Sequence, residues 1–199
     1  TVTKVIIPVA GFGTRMLPAT KAVPKELLPI SNKPLIQHVL EEAVLSGIKE
    51  IILITRTGKE AIENHFDDNY ELESLLKISG KQKILNKFPQ KTLKEVSIIS
   101  IRQKKPLGLG DAILTAKNIL QKKEPFAVIL PDEFLLPNKK NTDFERMINN
   151  FSSSRKGQIL SEKIETNRIS SYGILDLKKQ FLTHAKPRPI RGIIEKPSL

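Results

Sequence analysis

The chain has 199 residues, of which 39% are hydrophobic and 27% charged. That balance supplies a sizeable core and excludes disordered, collagen-like and low-complexity classes. There is no cysteine, which excludes disulfides, thiolate catalysis and Cys-ligated metals, and the formal charge of +12 favours anionic partners such as phosphorylated metabolites or nucleic acid.

In chain order, Thr1 to Val9 has neither a basic region followed by a long apolar stretch nor a small-residue cleavage site, so no signal peptide is expected. Within it, Val5 to Val9 is a short apolar run of the kind buried on both faces of a sheet. A Gly-, Pro- and Lys-rich loop runs from Ala10 to Lys33. A helix is predicted from Pro34, with Leu35, Ile36, Val39, Leu40, Ala43 and Val44 at helical spacing and Gly47 closing it. Ile51 to Thr55 reads as a second strand, and Lys59 to Phe66 and Tyr70 to Lys77 as helices. Val96 to Ile101 is a third strand, Asp111 to Leu120 a helix and Phe126 to Leu130 a fourth strand. After Phe151, Gln158 to Glu165, Ser171 to Leu177 and Arg191 to Ile194 read as strands.

The alternation predicts an α/β fold, a mainly parallel sheet covered by helices on both faces, with antiparallel additions in the C-terminal part. A single domain over residues 1–199 is expected, with a first part about 1–140 and a second part about 141–199. No apolar run approaches the roughly 18 residues that span a bilayer. A soluble, cytoplasmic protein without a membrane partner follows as the expectation.

The positive excess is concentrated between Lys77 and Lys105, nine lysines and arginines against one acid, Glu95. Aromatics are only 5% and Trp is absent, which leaves few stacking platforms for single strands. The run is therefore read as a lysine-rich solvated surface, and no nucleic-acid partner is expected.

Ligands of such sheets bind outside the carboxyl ends of the strands, which directs attention to the loops after Val9, Ile101, Leu130 and Ile194. The first, Ala10-Gly11-Phe12-Gly13-Thr14-Arg15, offers backbone N–H groups to an anion, with a planar cation beside them. It is neither the dinucleotide fingerprint, whose third glycine would fall at Met16, nor a Walker A loop. Lys25 is held between Pro24 and nearby Pro29, which limits the chain entropy it loses on meeting a phosphate. Gln103 can donate to and accept from a nucleobase edge, Gly108 lets the backbone approach a ring, and Asp111 suits the N-terminus of the following helix. Asp132 is a hard oxygen ligand of the kind Mg²⁺ takes together with substrate phosphates. Glu195 can accept from sugar hydroxyls and Lys196 can hold a phosphate. His38, His65 and His184 have no ligand-like spacing, and the first two read as surface or partly packed helix residues. No nucleophile has an adjacent base, so phosphoryl-type transfer, which needs positioning and charge neutralisation, fits this inventory.

The ordered motifs Pro8-Val-Ala-Gly-Phe-Gly-Thr-Arg15, Pro18-Ala-Thr-Lys21, Pro24-Lys25-Glu26, Asn32-Lys-Pro34, Arg102-Gln103, Gly108-Leu-Gly110, Leu130-Pro-Asp132, Tyr172-Gly173 and Glu195-Lys-Pro197 resemble the sugar-nucleotide pyrophosphorylase family. The Pro-Ala-Thr-Lys stretch and Ile62 to Asp67 resemble its uridylyl-transferring branch. That resemblance implies a Rossmann-like three-layer nucleotidyltransferase fold and transfer of a uridylyl group from UTP to glucose 1-phosphate. It implies Arg15 and Lys25 as catalytic cations. Ala10, Gly11, Gly13, Thr14, Glu26, Gln103 and Gly108 would contact the nucleotide, Asp132 would ligate Mg²⁺, and Gly173, Glu195 and Lys196 would hold the sugar phosphate. It also implies that residues about 1–140 form the nucleotide-binding part and about 141–199 the sugar-phosphate part, incomplete at the C-terminus, with a homo-oligomer in the full-length family form and a C-terminal part beyond Leu199. Asp111 stands where the family usually carries His. A dTTP-using member of the family and a regulatory form that binds UTP or UDP-glucose without turnover are the alternatives.

Overall fold

The computed structural model describes residues 1–132, 142–177 and 187–197. Strand β1 (Lys4–Pro8) leads into three short 3-10 turns, Thr14–Met16, Ala19–Lys21 and Lys25–Leu27, and a small hairpin of β2 (Pro29–Ile30) and β3 (Lys33–Pro34). Helix α1 (Leu35–Leu45) precedes β4 (Glu50–Thr55), followed by α2 (Glu60–Phe66), α3 (Tyr70–Ile78), α4 (Gln82–Leu85) and α5 (Gln90–Leu93). Strand β5 (Ser97–Arg102), helix α6 (Leu109–Thr115), strand β6 (Phe126–Val128) and helix α7 (Asp143–Ser154) come next. A 3-10 segment (Thr166–Ser171) leads to β7 (Gly173–Leu177), and β8 (Ile190–Glu195) follows later in the chain.

Four strands pair in the order β5-β4-β1-β6, and every pairing is parallel. Successive side chains of a strand face opposite ways, so the unbroken apolar runs of β1 and β4 feed two cores at once. On one face Val5, Ile7, Ile51 and Leu53 pack with Ile36, Val39, Leu40 and Ala43 of α1, Ile62 of α2 and Phe144 and Ile148 of α7. On the other, Ile6, Ile52 and Ile54 pack with Ala112 and Ala116 at α6. Each such buried aliphatic side chain contributes about 1.5–3 kcal/mol of transfer free energy. The three-layer α/β architecture agrees with the reading of the sequence.

Strand order reverses beside β1: the chain steps outward from β1 to β4 to β5, then crosses back to place β6 on the other flank. The crevice at such a reversal is where α/β sheets hold ligands. It brings the loop that follows β1 against the loop that follows β6.

Three departures from the sequence reading have physical causes. Among the described residues, strands β7 and β8 form their own antiparallel ladder rather than extending the parallel sheet. Residues 158–165, read as a strand, are irregular among the described residues. Ile159 and Leu160 there remain exposed: adjacent rather than alternating, they define no single apolar face, and an apolar segment becomes a strand only where a neighbour supplies ladder partners. Helix α7 went unread, although Thr142 and Glu145 spell a capping box and Thr142 Oγ1 accepts from the Glu145 N–H at 3.0 Å. Its Phe144 and Ile148 anchor it to the first core, although it lies beyond residue 140.

Among the described residues no helix is long and apolar enough to cross a membrane. All nine basic side chains between Lys77 and Lys105 are exposed, as a solvated surface requires.

Candidate active site

The loop after β1 is shaped by its own residues before any ligand is considered. Val9 N–H donates to Ile54 C=O at 2.8 Å, so the ladder reaches one residue past β1 before the chain turns away. Gly13 has φ +69°, and a Cβ there would meet Lys25 Cβ at 3.2 Å and Thr20 Cβ at 3.3 Å. Both the left-handed backbone and the crowding call for glycine. Thr20 Oγ1 donates to Gly13 C=O at 2.7 Å and closes the loop on itself. Gly11 lies beside the Lys25 ammonium, 3.9 Å from where a Cβ would stand. Gly11, Thr14 and Arg15 are exposed and Ala10 half-buried, and the two glycines of this loop lie against Lys25.

Lys25 Nζ donates to Asp132 Oδ2 at 2.8 Å, joining the loops after β1 and β6 across the switch point. Burial pushes the Asp132 carboxyl up. The hydrogen bond and charge of Lys25, a backbone hydrogen bond and the Arg15 guanidinium together outweigh it and hold the carboxyl below its usual value. Arg15, Lys25 and Asp132 are therefore one electrostatic unit.

Glu26, expected to face the nucleotide, is turned into the protein and fully buried. Its Oε2 accepts from Lys59 Nζ at 2.7 Å, and its other oxygen has no hydrogen-bond partner among the described residues. Lys59 sits at the start of α2, just past β4, so this pair staples the Lys25 turn to the carboxyl end of a central strand.

A cavity of about 170 Å³ opens at the carboxyl ends of β1, β4 and β5. It is lined by Ala10 and Phe12, by Arg56 and Thr57, and by Gln103 and Lys104. The Arg56 guanidinium lies 3.8 Å from the Phe12 ring centroid and forms one wall with it. Gln103 extends the β5 ladder through its N–H to Thr55 C=O at 2.9 Å. Its side-chain Nε2 donates to Asp111 Oδ2 at 2.7 Å and to Gly108 C=O at 3.3 Å. Gly108 has φ +94° with open space where a Cβ would stand, so glycine serves the backbone turn there.

The predicted sugar-phosphate residues also meet. Gly173 pairs with Glu195 in the β7–β8 ladder, and a Cβ on Gly173 would come within 3.1 Å of Glu195 Oε2. Lys196 N–H donates to Tyr172 C=O at 3.0 Å, and its ammonium lies 3.5 Å from Glu195 Oε1.

His38 Nε2 donates to Ile30 C=O at 3.1 Å and ties α1 to β2, whereas His65 Nε2 donates to Gln37 Oε1 at 3.0 Å and joins α2 to α1. His184 lies outside the described residues. Reasoning from sequence missed Phe12, Arg56, Thr57 and Lys59. The signal was present: the loop after Thr55 also stands at a strand's carboxyl end and belonged with the other four.

The profile of the nucleotidyl transferase family matches residues 4–199. The chain belongs to this family. Among curated relatives, the UTP–glucose-1-phosphate uridylyltransferase of Haemophilus ducreyi is 44% identical over 98% of this chain and 67% of its own length. The Escherichia coli K12 protein of the same name is 42% identical, over 98% of this chain and 65% of its own. This nucleotidyl transferase chain thus spans about two thirds of the curated relatives it matches. A UTP-bound UGPase from Acinetobacter baumannii superposes with a TM-score of 0.93 at 41% identity, over all of this chain and 69% of that one. A UDP-glucose pyrophosphorylase complexed with UDP-glucose superposes at 0.84 and 31% identity, over 99% of this chain and 70% of that one.

Proposed function

We propose that this nucleotidyl transferase moves a uridylyl group from UTP to glucose 1-phosphate. The sugar phosphate oxygen attacks the α-phosphorus of UTP, a new P–O bond forms, the bond to the bridging oxygen of the β-phosphate breaks, and UDP-glucose and pyrophosphate result. The observation that carries the reading is the Lys25–Asp132 pair at 2.8 Å, set at the sheet's switch point beside the cavity of Ala10 and Gln103. Relatives named for the same transfer support it.

The chemistry asks little of a general base. A sugar phosphate is largely a dianion at neutral pH, since its second pKa is about 6. What it requires is alignment opposite the leaving group and relief of anion–anion repulsion. Arg15 and Lys25 supply that relief, and Lys25 exchanges Asp132 for a phosphate oxygen when the nucleotide arrives. The backbone of Ala10, Gly11, Gly13 and Thr14 cradles the triphosphate, Gln103 and Gly108 read the base, and Glu26 holds the Lys25 turn from behind. Gly173, Glu195 and Lys196 take the sugar phosphate.

The donor set fits a metal that is shared with substrate. No group of three or more His, Asp or Glu could hold an ion among the described residues. Asp132 is a single carboxylate with its side chain 44% exposed, and Mg²⁺ is commonly held by one or two carboxylates together with phosphate oxygens and water. When bound, Mg²⁺ supplies neutralisation of the phosphate charge. The reading carries with it a cytoplasmic location and a homo-oligomer of the full-length form.

The test is calorimetric binding of UTP, dTTP, ATP, GTP and CTP with Mg²⁺ present, followed by pyrophosphate release on adding glucose 1-phosphate. UTP binding ahead of CTP and ATP, with release that depends on the sugar phosphate, is expected. UTP binding with no release would count against turnover, and indifference among bases would count against the uridylyl reading.

A further inference from the structure

We infer that Asp111 is a positioning residue that sets base selectivity by fixing which end of the Gln103 carboxamide faces the cavity; this deepens the uridylyl reading and rests on it.

A glutamine carboxamide is a donor at one end and an acceptor at the other, and a half-turn about its last side-chain bond reverses what a ligand meets. At Gln103 the choice is made by the neighbours. Asp111 Oδ2 at 2.7 Å and Gly108 C=O at 3.3 Å are both acceptors, and neither can donate to a carboxamide oxygen. The NH₂ group must therefore lie between them, and both of its hydrogens are used. This assignment is dictated by the network, since the flipped carboxamide would set its oxygen against two others. Oε1 is left with no partner among the described residues, on a side chain that lines the cavity and is otherwise buried.

Asp111 reaches Gln103 because it occupies the third position of α6, whose first turn begins at the left-handed Gly108. The same glycine that starts the helix thus aims its own carbonyl at Gln103, and the helix aims the carboxylate. An acidic residue in a first helical turn is favoured for its own sake, but an acid facing solvent would serve that purpose equally. Here it is committed to one amide at 2.7 Å.

The chemical consequence is a fixed acceptor at the base cavity. Uracil presents an imide N3–H to such an acceptor, whereas cytosine presents a bare N3 lone pair. Oxygen against lone pair is repulsive, so the geometry favours the first and rejects the second. Without Asp111, only the longer bond to Gly108 opposes the flip, and a carboxamide free to turn accommodates either ring.

The experiment measures Mg²⁺-supported binding of UTP and CTP to the unaltered protein, Asp111→Ala and Asp111→Asn. One net hydrogen bond is worth roughly a tenfold change in affinity. The unaltered protein is expected to prefer UTP over CTP, and Asp111→Ala to lower that preference about tenfold. Asp111→Asn, whose own carboxamide can turn to present either an acceptor or a donor to Gln103, is expected to keep a preference between those of the unaltered protein and Asp111→Ala. A loss of UTP and CTP affinity in parallel in Asp111→Ala would mark a merely structural role and overturn the proposal, as would an unchanged preference. Because Asp111→Ala removes a helix-terminal charge, N3-methyl-UTP is measured on the unaltered protein as well. About tenfold weaker binding than UTP is expected there, and equal binding overturns the proposal. If the unaltered protein itself fails to prefer UTP, the uridylyl reading falls together with this one; if it prefers UTP and Asp111→Ala does too, only this inference falls.

Discussion

Lys25 and Asp132, 107 residues apart in the chain, meet at 2.8 Å where the loops after the first and last strands of the parallel sheet face each other. Neither residue can be removed without leaving the other's charge unpaired beside the proposed phosphate site. Lys25→Ala and Asp132→Ala are therefore each expected to lower UDP-glucose formation by about 10²–10³-fold, the range for losing one preorganised electrostatic contact. Circular dichroism melts should show the fold retained, because the pair lies at the rim of the sheet. Turnover unaltered in either variant removes that residue from the proposed role.

The same pair predicts a direction for pH. The folded Asp132 carboxyl lies below its ordinary value of 3.8, so its contribution to stability is fully present above that value and is lost as the pH falls through the depressed one. The difference in melting temperature between the protein and Asp132→Asn should be constant from neutral pH to about pH 5 and should shrink in more acid solution. The effect is modest, since the side chain is 44% exposed and solvent screens the pair. A difference that grows on acidification contradicts the assignment.

Glu26 and Lys59 make the opposite case, an ion pair with side chains 0% and 8% exposed. Removing one partner strands the other charge, and Lys59→Met is expected to destabilise the fold by about 3–5 kcal/mol in urea unfolding. Replacing both, as Glu26→Leu with Lys59→Met, should cost less than either single change, because no unpaired charge remains. If the double variant is the least stable of the three, the pair contributes net attraction rather than loop registration.

Gly13 and Gly11 stand two residues apart and are expected to behave differently. Gly13→Ala meets a left-handed backbone and a Cβ contact of 3.2 Å to Lys25. About 1–2 kcal/mol of stability should be lost, together with nucleotide binding as Lys25 is displaced. Gly11→Ala has only an ordinary 3.8 Å contact with Lys25 Cε, so its melting temperature should stay within a degree or so while UTP affinity falls through crowding of the proposed triphosphate cradle. Equal melting temperatures for the two variants would show that the Gly13 backbone is not strained.

Much of the architecture was legible in the chain alone. Val5 to Val9 and Ile51 to Thr55 are apolar on both sides of the pleat, which only a sheet covered on both faces can bury, and the strand–helix alternation then forces parallel crossovers. The glycines, Arg15, Lys25, Gln103 and Asp132 were visible as chemistry at strand ends because the carboxyl-end rule depends on fold class and not on contacts. Even the missed helix α7 had its capping box, Thr142 to Glu145, written in the sequence.

Pairings were decided only by the tertiary structure. Which lysine meets which carboxylate depends on the order of strands in the sheet: because β6 crosses back beside β1, Asp132 faces Lys25, whereas Glu26 meets Lys59 just past β4. The orientation of the Gln103 carboxamide depends on the aim of Asp111 from a neighbouring helix. Local sequence carries residue type and backbone preference; it does not carry the distances between loops that long crossovers bring together, and the strength and direction of every charge and hydrogen bond in this site are set by those distances.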